Sequence, residues 1–147
     1  MKLIRILPLF LLFAFIQLDT KAQWNYVAYG EVTSNNEQVK LEGAVVSLFK
    51  NGSQSGQQVT KKNGKYTFVL DPENDYVISY TKAGFITKRI FISTKNVPPE
   101  RSKFGFSKQP IDVDLFEMPA DPTIVSKINE LLAEPMGKFV YVASAQD

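Results

Sequence analysis

Cysteine and histidine are both absent from this sequence of 147 residues. Without cysteine no disulfide can cross-link the fold, so burial of apolar side chains must supply its stability. The same absences remove thiolate nucleophiles, imidazole bases and the usual zinc sites. They also exclude a hydrolase with a Ser-His-Asp triad. We therefore predict no enzymatic activity, and identify no catalytic residue, cofactor site or metal site.

A large excess of charge of either sign is also missing. The formal net charge is +2, from 17 basic and 15 acidic residues. Setting aside the first 22 residues removes three basic residues and one acidic residue, which leaves 14 of each sign. Binding to nucleic acid or to an anionic membrane surface requires concentrated positive charge. We therefore predict that nucleic acid is not a partner.

The longest apolar run lies at the N-terminus, where two basic residues precede an apolar stretch over residues 6–16. A stable membrane span takes about 20 apolar residues. The small side chains of Thr20 and Ala22 suit signal peptidase. We predict a signal peptide at 1–22, cleavage before Gln23 and no stable membrane span afterwards. The absence of cysteine argues against a lipid anchor. The predicted location is the periplasm, the outer membrane or the cell exterior.

The mature chain is rich in alternating apolar and polar residues. The most regular run follows Asn63-Gly64, a dipeptide typical of a two-residue hairpin turn. Its apolar face consists of Tyr66, Phe68 and Leu70. We predict a hairpin at Asn63-Gly64 that sets the register of this strand, since a slip of one residue would expose its apolar face. Gly84 predicts a further tight turn.

About seven such strands, separated by turn signals, predict an all-β sandwich over residues 23–118. A helix–strand extension over 119–147 follows, because Asp121-Pro122 has the form of an N-cap followed by proline at the first helical position. The helix should carry an apolar face at Ile124, Ile128, Leu131 and Leu132. The apolar segment 138–144 predicts one more strand, which either joins the sheet or belongs to a longer protein.

Two acidic patterns admit a functional interpretation beside a structural one. Asp71, Glu73 and Asp75 alternate as calcium ligands do, but the glycine and closing glutamate of an EF-hand are absent, which favours an ordinary turn. Asp112 and Asp114 lie on one face of a predicted strand, about 7 Å apart. Carboxylates at such a separation can hydrolyse glycosides. The same alternation is typical of the solvent-facing side of a sandwich strand, which is the interpretation we favour.

Trp24, Tyr26 and Tyr29 are the best candidates for contact with a ligand or partner. Aromatic rings stack on sugar faces and also anchor protein interfaces. In the alternative interpretation these rings begin the first strand and cover one end of the core.

The spacing of turn glycines and core residues over residues 26–94 resembles the carboxypeptidase regulatory-like domain, in the form found in envelope proteins of Bacteroidetes. The matching positions are Gly30-x-Val32, Leu41-Glu42-Gly43-Ala44-x-Val46-x-Leu48, Asn63-Gly64-x-Tyr66-x-Phe68-x-Leu70, Tyr76-x-Ile78 and Gly84-Phe85. The resemblance implies a seven-stranded Greek-key sandwich of the transthyretin-like kind and supplies no catalytic residues.

Two functions follow as expectations. The first is a non-enzymatic secreted or periplasmic module with a structural or protein-interaction role in the cell envelope, because that is how the resembling domains mostly act. The second is a carbohydrate-binding module, which is suggested by a related fold and by the aromatic residues. The expected partner is an envelope protein or a glycan.

Overall fold

A computed structural model describes residues 25–34, 39–98 and 110–141. Its elements in chain order are β1 Tyr26–Ser34, β2 Val45–Lys50, β3 Ser53–Val59, β4 Lys65–Leu70, β5 Asp75–Thr81, β6 Lys88–Ser93, β7 Val113–Leu115, α1 Pro122–Leu131 and β8 Gly137–Phe139. The predicted signal peptide at 1–22, its cleavage site and Trp24 lie outside the described residues.

The eight strands form two sheets, with strand order β4-β1-β7 in the smaller sheet and β3-β2-β5-β6-β8 in the larger one. Neighbouring strands are antiparallel, except that β1 and β7 are parallel, as are β6 and β8. The prediction of an all-β sandwich with a C-terminal helix and a further strand is confirmed. Within the described ranges, α1 is far too short to cross a bilayer and no other helix is long and apolar enough to do so.

The core lies between the sheets and follows from the alternation of side chains along the strands. In β4 the side chains of Tyr66, Phe68 and Leu70 are buried, while the alternate positions are exposed. Tyr80 of β5 meets Tyr66 across the core, and their hydroxyls are 2.7 Å apart. The Tyr66 hydroxyl also donates to the backbone oxygen of Ile111, at 2.7 Å. This chain of hydrogen bonds satisfies both buried hydroxyls and ties the segment before β7 to the core.

The predicted hairpin at Asn63-Gly64 is wrong. β3 pairs with β2 in the larger sheet, whereas β4 pairs with β1 in the smaller sheet. Gly64 has a φ of 67°, but Asn63 is not among the residues with positive φ, so a type I′ turn is excluded. The turn instead carries the chain from one sheet to the other. The Gly64 carbonyl accepts a hydrogen bond from the Val32 backbone N–H at 2.9 Å.

Gly84 lies in a tight turn between β5 and β6 with a φ of 82°. The Phe85 N–H donates to the Lys82 carbonyl across this turn, at 3.0 Å. The Gly84 carbonyl accepts from the Met118 N–H at 2.7 Å. The turn therefore contacts the segment that follows β7 and leads into α1.

The C-terminal unit, consisting of α1 and β8, lies on the edge of the sandwich. The Asp121 carboxylate accepts from the Thr123 N–H at 2.8 Å, and Pro122 follows it, so the predicted N-cap is confirmed. No residue of α1 is buried. The Arg89 side chain of β6 donates to the carbonyls of Leu132 and Ala133, at 3.5 and 3.4 Å. β8 then pairs with β6, so the start of the predicted last strand joins the sheet, while its residues 142–144 lie outside the described residues.

Candidate functional site

A cleft of about 630 Å³ opens where β8, the end of β6 and the start of β1 meet. Its volume lies within the 300–1,000 Å³ range usual for small-molecule sites. We call it the β8 cleft; its lining residues are Tyr26, Ile92, Ser93, Thr94, Lys138, Phe139, Val140 and Tyr141.

The register of β8 against β6 decides which side chains line the cleft. Phe139 pairs with Ile92 across the parallel ladder. Phe139 is 48% exposed and Val140 is 44% exposed, whereas Ile92 is buried. One wall of the cleft is therefore the packed edge of the core, and the other is an exposed apolar segment from the C-terminal unit.

Tyr26 and Tyr29 line different depressions, although the sequence groups them. Tyr26 is half-buried, packs against the core and lines the β8 cleft. Its burial raises the pKa of the phenol above the usual value, and the nearby Tyr29 adds to the shift. Tyr29 lines a separate groove of about 330 Å³. These two tyrosines therefore line separate depressions.

The Ser93 and Thr94 hydroxyls of the cleft are already hydrogen-bonded within the protein. The Thr94 hydroxyl donates to the Asp71 carbonyl at 2.7 Å and accepts from the Asn74 N–H at 3.1 Å. The Ser93 hydroxyl donates to the Asp75 carboxylate at 2.7 Å. No buried side-chain nitrogen or oxygen of the described residues is left without a partner. The hydroxyls thus stabilise the strand ends, and the surface they leave to a ligand is mainly apolar.

The Lys138 side chain points to the face of β8 opposite to Phe139, because neighbouring side chains of a strand alternate, and Lys138 pairs with Phe91 of β6. Its ammonium lies 5.4 Å from the centre of the Phe91 ring, within the range of a cation–π contact. The Lys138 charge is close enough to Asp75 to lower the pKa of its carboxyl, but the direct ion-pair partner of Asp75 is Lys95, at 2.6 Å. Hydrogen bonds from Lys95 and then Ser93 lower the pKa of the Asp75 carboxyl below its usual range.

The acidic patterns of the sequence make protein contacts. Asp71 forms an ion pair with Lys50 at 2.6 Å, and Asp75 is occupied by Lys95. Asp112 accepts from the Glu31 N–H at 2.9 Å, and Asp114 accepts from the Thr33 hydroxyl. Among the described residues no group of three carboxylates could hold a metal ion. These contacts support the structural interpretation of both patterns.

A second groove of about 420 Å³ runs between β7 and the β6–β8 edge. Lys88 lies in it, with its ammonium 4.1 Å from the centre of the Phe116 ring. Partial burial lowers the pKa of Lys88, while the charge of Asp114 acts in the opposite direction. The groove also includes Phe139, so this ring forms part of two neighbouring depressions.

Of the residues that line the cleft, Tyr26 alone was a sequence-predicted contact residue, and the four consecutive residues 138–141 were missed. The signal that could have found them was the apolar run at 138–144, which by itself predicts only a strand in need of a partner. Its position beside Tyr26 depends on pairing between distant strands, which sequence alternation does not specify.

No family model matches the sequence, and no curated protein matches it. Among solved structures, the chain is similar to 3-chlorocatechol 1,2-dioxygenase from Rhodococcus opacus 1CP, with 14% identity, a TM-score of 0.45 and coverage of 68% of this chain and 62% of that one. It is also similar to a mutant catechol 1,2-dioxygenase from Acinetobacter radioresistens, with 13% identity and a TM-score of 0.46. That match covers 70% of this chain and 55% of the enzyme. The match with catechol 1,2-dioxygenase from Acinetobacter sp. ADP1, inhibited by bound mercury, has 12% identity and a TM-score of 0.38. It covers 84% of this chain and 52% of that enzyme.

The prediction of a non-enzymatic structural or interaction module, with its carbohydrate-binding alternative, finds no support in these comparisons, which return enzymes. The prediction is withdrawn. The lack of cysteine and histidine excludes particular reactions, and a β-sandwich is not a mark of inactivity, since one fold serves many functions. The chain spans between 52% and 62% of the length of these enzymes. With TM-scores below 0.5, the likeness carries no argument that this chain is a dioxygenase.

Proposed function

We propose that this chain binds a small apolar or aromatic molecule in the β8 cleft. The observation that carries the proposal is the combination of a volume of about 630 Å³ with rings from Tyr26, Phe139 and Tyr141. Pockets of this size lined mainly by apolar and aromatic side chains are the usual sites for small organic ligands. The internal hydrogen bonds of Ser93 and Thr94 favour an apolar ligand over a richly hydroxylated one.

A titration with N-phenyl-1-naphthylamine tests the proposal, because this neutral aromatic probe becomes fluorescent when it leaves water. We expect saturable binding, and an affinity reduced about tenfold in Tyr141→Ala, since losing a contacting ring costs roughly 1–1.5 kcal/mol. Phe139→Ala should weaken binding similarly.

Phe116→Ala is the matched control. Phe116 is 41% exposed, close to the value for Phe139, but it lines the neighbouring groove and not the β8 cleft. If Phe116→Ala weakens the probe as much as Phe139→Ala does, and Tyr141→Ala has no effect, the probe occupies the neighbouring groove and the proposal is wrong.

We further propose that the chain acts after export, in the periplasm, at the outer membrane or outside the cell, as a member of the carboxypeptidase regulatory-like group. The basic start, the apolar stretch at 6–16 and the Thr20/Ala22 pair support export. The turn glycines and core spacing support the family. Mass spectrometry of the chain from its native host should give Gln23 as the first residue; a retained Met1 would contradict export.

A further inference from the structure

β4 lies at the edge of the smaller sheet and has the composition of an aggregation-prone strand. In the described part of the chain it pairs with β1 alone. Its residues 66–70, Tyr-Thr-Phe-Val-Leu, combine high β-propensity with no charge and no proline, which favours pairing with another chain. Val27 and Val69 pair in register beside this edge and are 47% and 58% exposed. An open β4 edge would therefore offer both backbone groups and apolar area to an added strand.

Side chains occupy the outward backbone groups at the start and the centre of β4. The Thr67 N–H donates to Gln58 Oε1 at 3.1 Å, and the Thr67 carbonyl accepts from Gln58 Nε2. One side-chain amide of β3 thus makes both of the hydrogen bonds that a residue of a neighbouring strand would make. Two residues earlier on the same edge, the Lys65 N–H donates to Asn63 Oδ1 at 3.1 Å. The edge is capped where a further strand would pair.

The other edge strands of the described residues are protected by different means. β3, at the edge of the larger sheet, consists mainly of serine, glutamine and glycine, and its register with β2 shifts between Leu48 and Phe49. β7 and β8 are each three residues long. Irregular and very short edge strands pair poorly with another chain. β4 is therefore the edge at which a side-chain cap matters most.

We propose that Gln58 closes the β4 edge to strand addition, and that the strand it excludes is β4 of a second copy of this chain. In an antiparallel pair centred on Thr67, residue 69 of one copy lies opposite Lys65 of the other. Gln58 and the second copy compete for the same two backbone groups, so the pair forms only after both copies release the cap. If each cap contributes as much as one ordinary hydrogen bond, it disfavours association about fivefold, and two caps disfavour it about 25-fold. The proposal does not depend on a ligand in the β8 cleft.

Gln58→Met tests the proposal, because it removes the amide and nearly keeps the volume of the side chain. Sedimentation velocity over a range of protein concentrations should give an association constant about 25-fold above that of the wild type. Amide exchange at Thr67, followed by NMR in dilute solution, should become about fivefold faster. Gln57→Ala is the matched control, since the neighbouring Gln57 side chain bonds to Gln54 and not to β4, and it should change neither value.

Two further variants locate the contact and its cause. Gln58→Ala should associate as strongly as Gln58→Met, because the lost amide and not the added thioether opens the edge. Val69→Lys, introduced into Gln58→Met, places like charges opposite each other at Lys65 and should return association to the wild-type level. Association of Gln58→Met no stronger than that of the wild type would overturn the proposal. So would association that appears only with methionine, or that persists in the presence of Val69→Lys.

Discussion

β5 and α1 are stabilised in different ways. Ile78 and Tyr80 of β5 are fully buried between the sheets, whereas no residue of α1 is buried. The sandwich is held by the burial of apolar area, and the C-terminal unit is held by the Asp121 cap, by Arg89 and by the pairing of β8 with β6. The β8 cleft lies between these regions. One of its walls belongs to the stable core and the other to an element that can be changed at little cost to the fold.

The largest expected effect on the free energy of unfolding comes from a leucine-to-alanine substitution in the sandwich core, compared with the same substitution in α1. Leu70→Ala removes a side chain with 0% exposure, and Leu131→Ala removes one with 79% exposure. We expect Leu70→Ala to lower the free energy of unfolding by about 4 kcal/mol, through lost burial and the cavity left behind. Leu131→Ala should change it by less than about 0.5 kcal/mol. Urea denaturation gives both values, and similar losses would show that α1 is part of the cooperative core.

A pair of glycines separates backbone strain from crowding within the sandwich. Gly64 and Gly52 both have positive φ, at 67° and 86°. A Cβ at Gly64 would lie 2.6 Å from the Val32 carbonyl oxygen, whereas a Cβ at Gly52 would meet nothing within 4 Å. We expect Gly64→Val to cost about 3 kcal/mol and Gly52→Val about 1 kcal/mol. If chemical denaturation ranks Gly52→Val as the more damaging change, the described path between the sheets is wrong.

The buried tyrosine pair should give the core a pH dependence that the C-terminal unit lacks. Burial raises the pKa of both Tyr66 and Tyr80 above the usual value of 10.0. The folded protein therefore holds these protons more tightly than the unfolded chain, so the stabilisation is complete below pH 10 and is lost as the pH rises further. Tyr80→Phe should cost about 1 kcal/mol at neutral pH and make the alkaline decline less steep. An unchanged decline would contradict this account.

The smallest expected effect concerns the attachment of α1. Arg89→Ala removes the contacts with the Leu132 and Ala133 carbonyls, which at 3.5 and 3.4 Å are long. Global stability should fall by about 0.5 kcal/mol, while amide hydrogen exchange in α1 increases and exchange in β5 stays unchanged. Lys62→Ala, a change on an exposed turn of the sandwich, is the control and should alter neither. Faster exchange in β5 would show that the two regions unfold together.

Where the structure agrees with the sequence analysis, the signal was local. The alternation of Tyr66, Phe68 and Leu70 predicts the buried face of β4, because neighbouring side chains of a strand point to opposite sides. Asp121-Pro122 predicts the start of α1, because a cap involves only the first turn of the helix. The prediction at Asn63-Gly64 was wrong because the dipeptide specifies a turn but not which strands pair on either side of it.

The site depended on contacts that no local pattern contains. Tyr26, Ile92 and Phe139 come from three separate parts of the chain, and they meet only because β8 pairs in parallel with the edge of the larger sheet. Tyr26 and Tyr29 were grouped by their closeness in the sequence, and the structure assigns them to different depressions.

The sequence by itself determined the all-β class, the faces of the strands, the helix cap and the absence of disulfides and histidine chemistry, since each depends on residue type and short-range periodicity. The tertiary structure decided the crossing between sheets at Gly64, the position of β8 and the meeting of Tyr26 and Phe139 at an aromatic-lined cleft. The physical reason is that strand pairing joins residues of large sequence separation, and its free energy comes from the summed burial of both partners, which neither strand encodes alone.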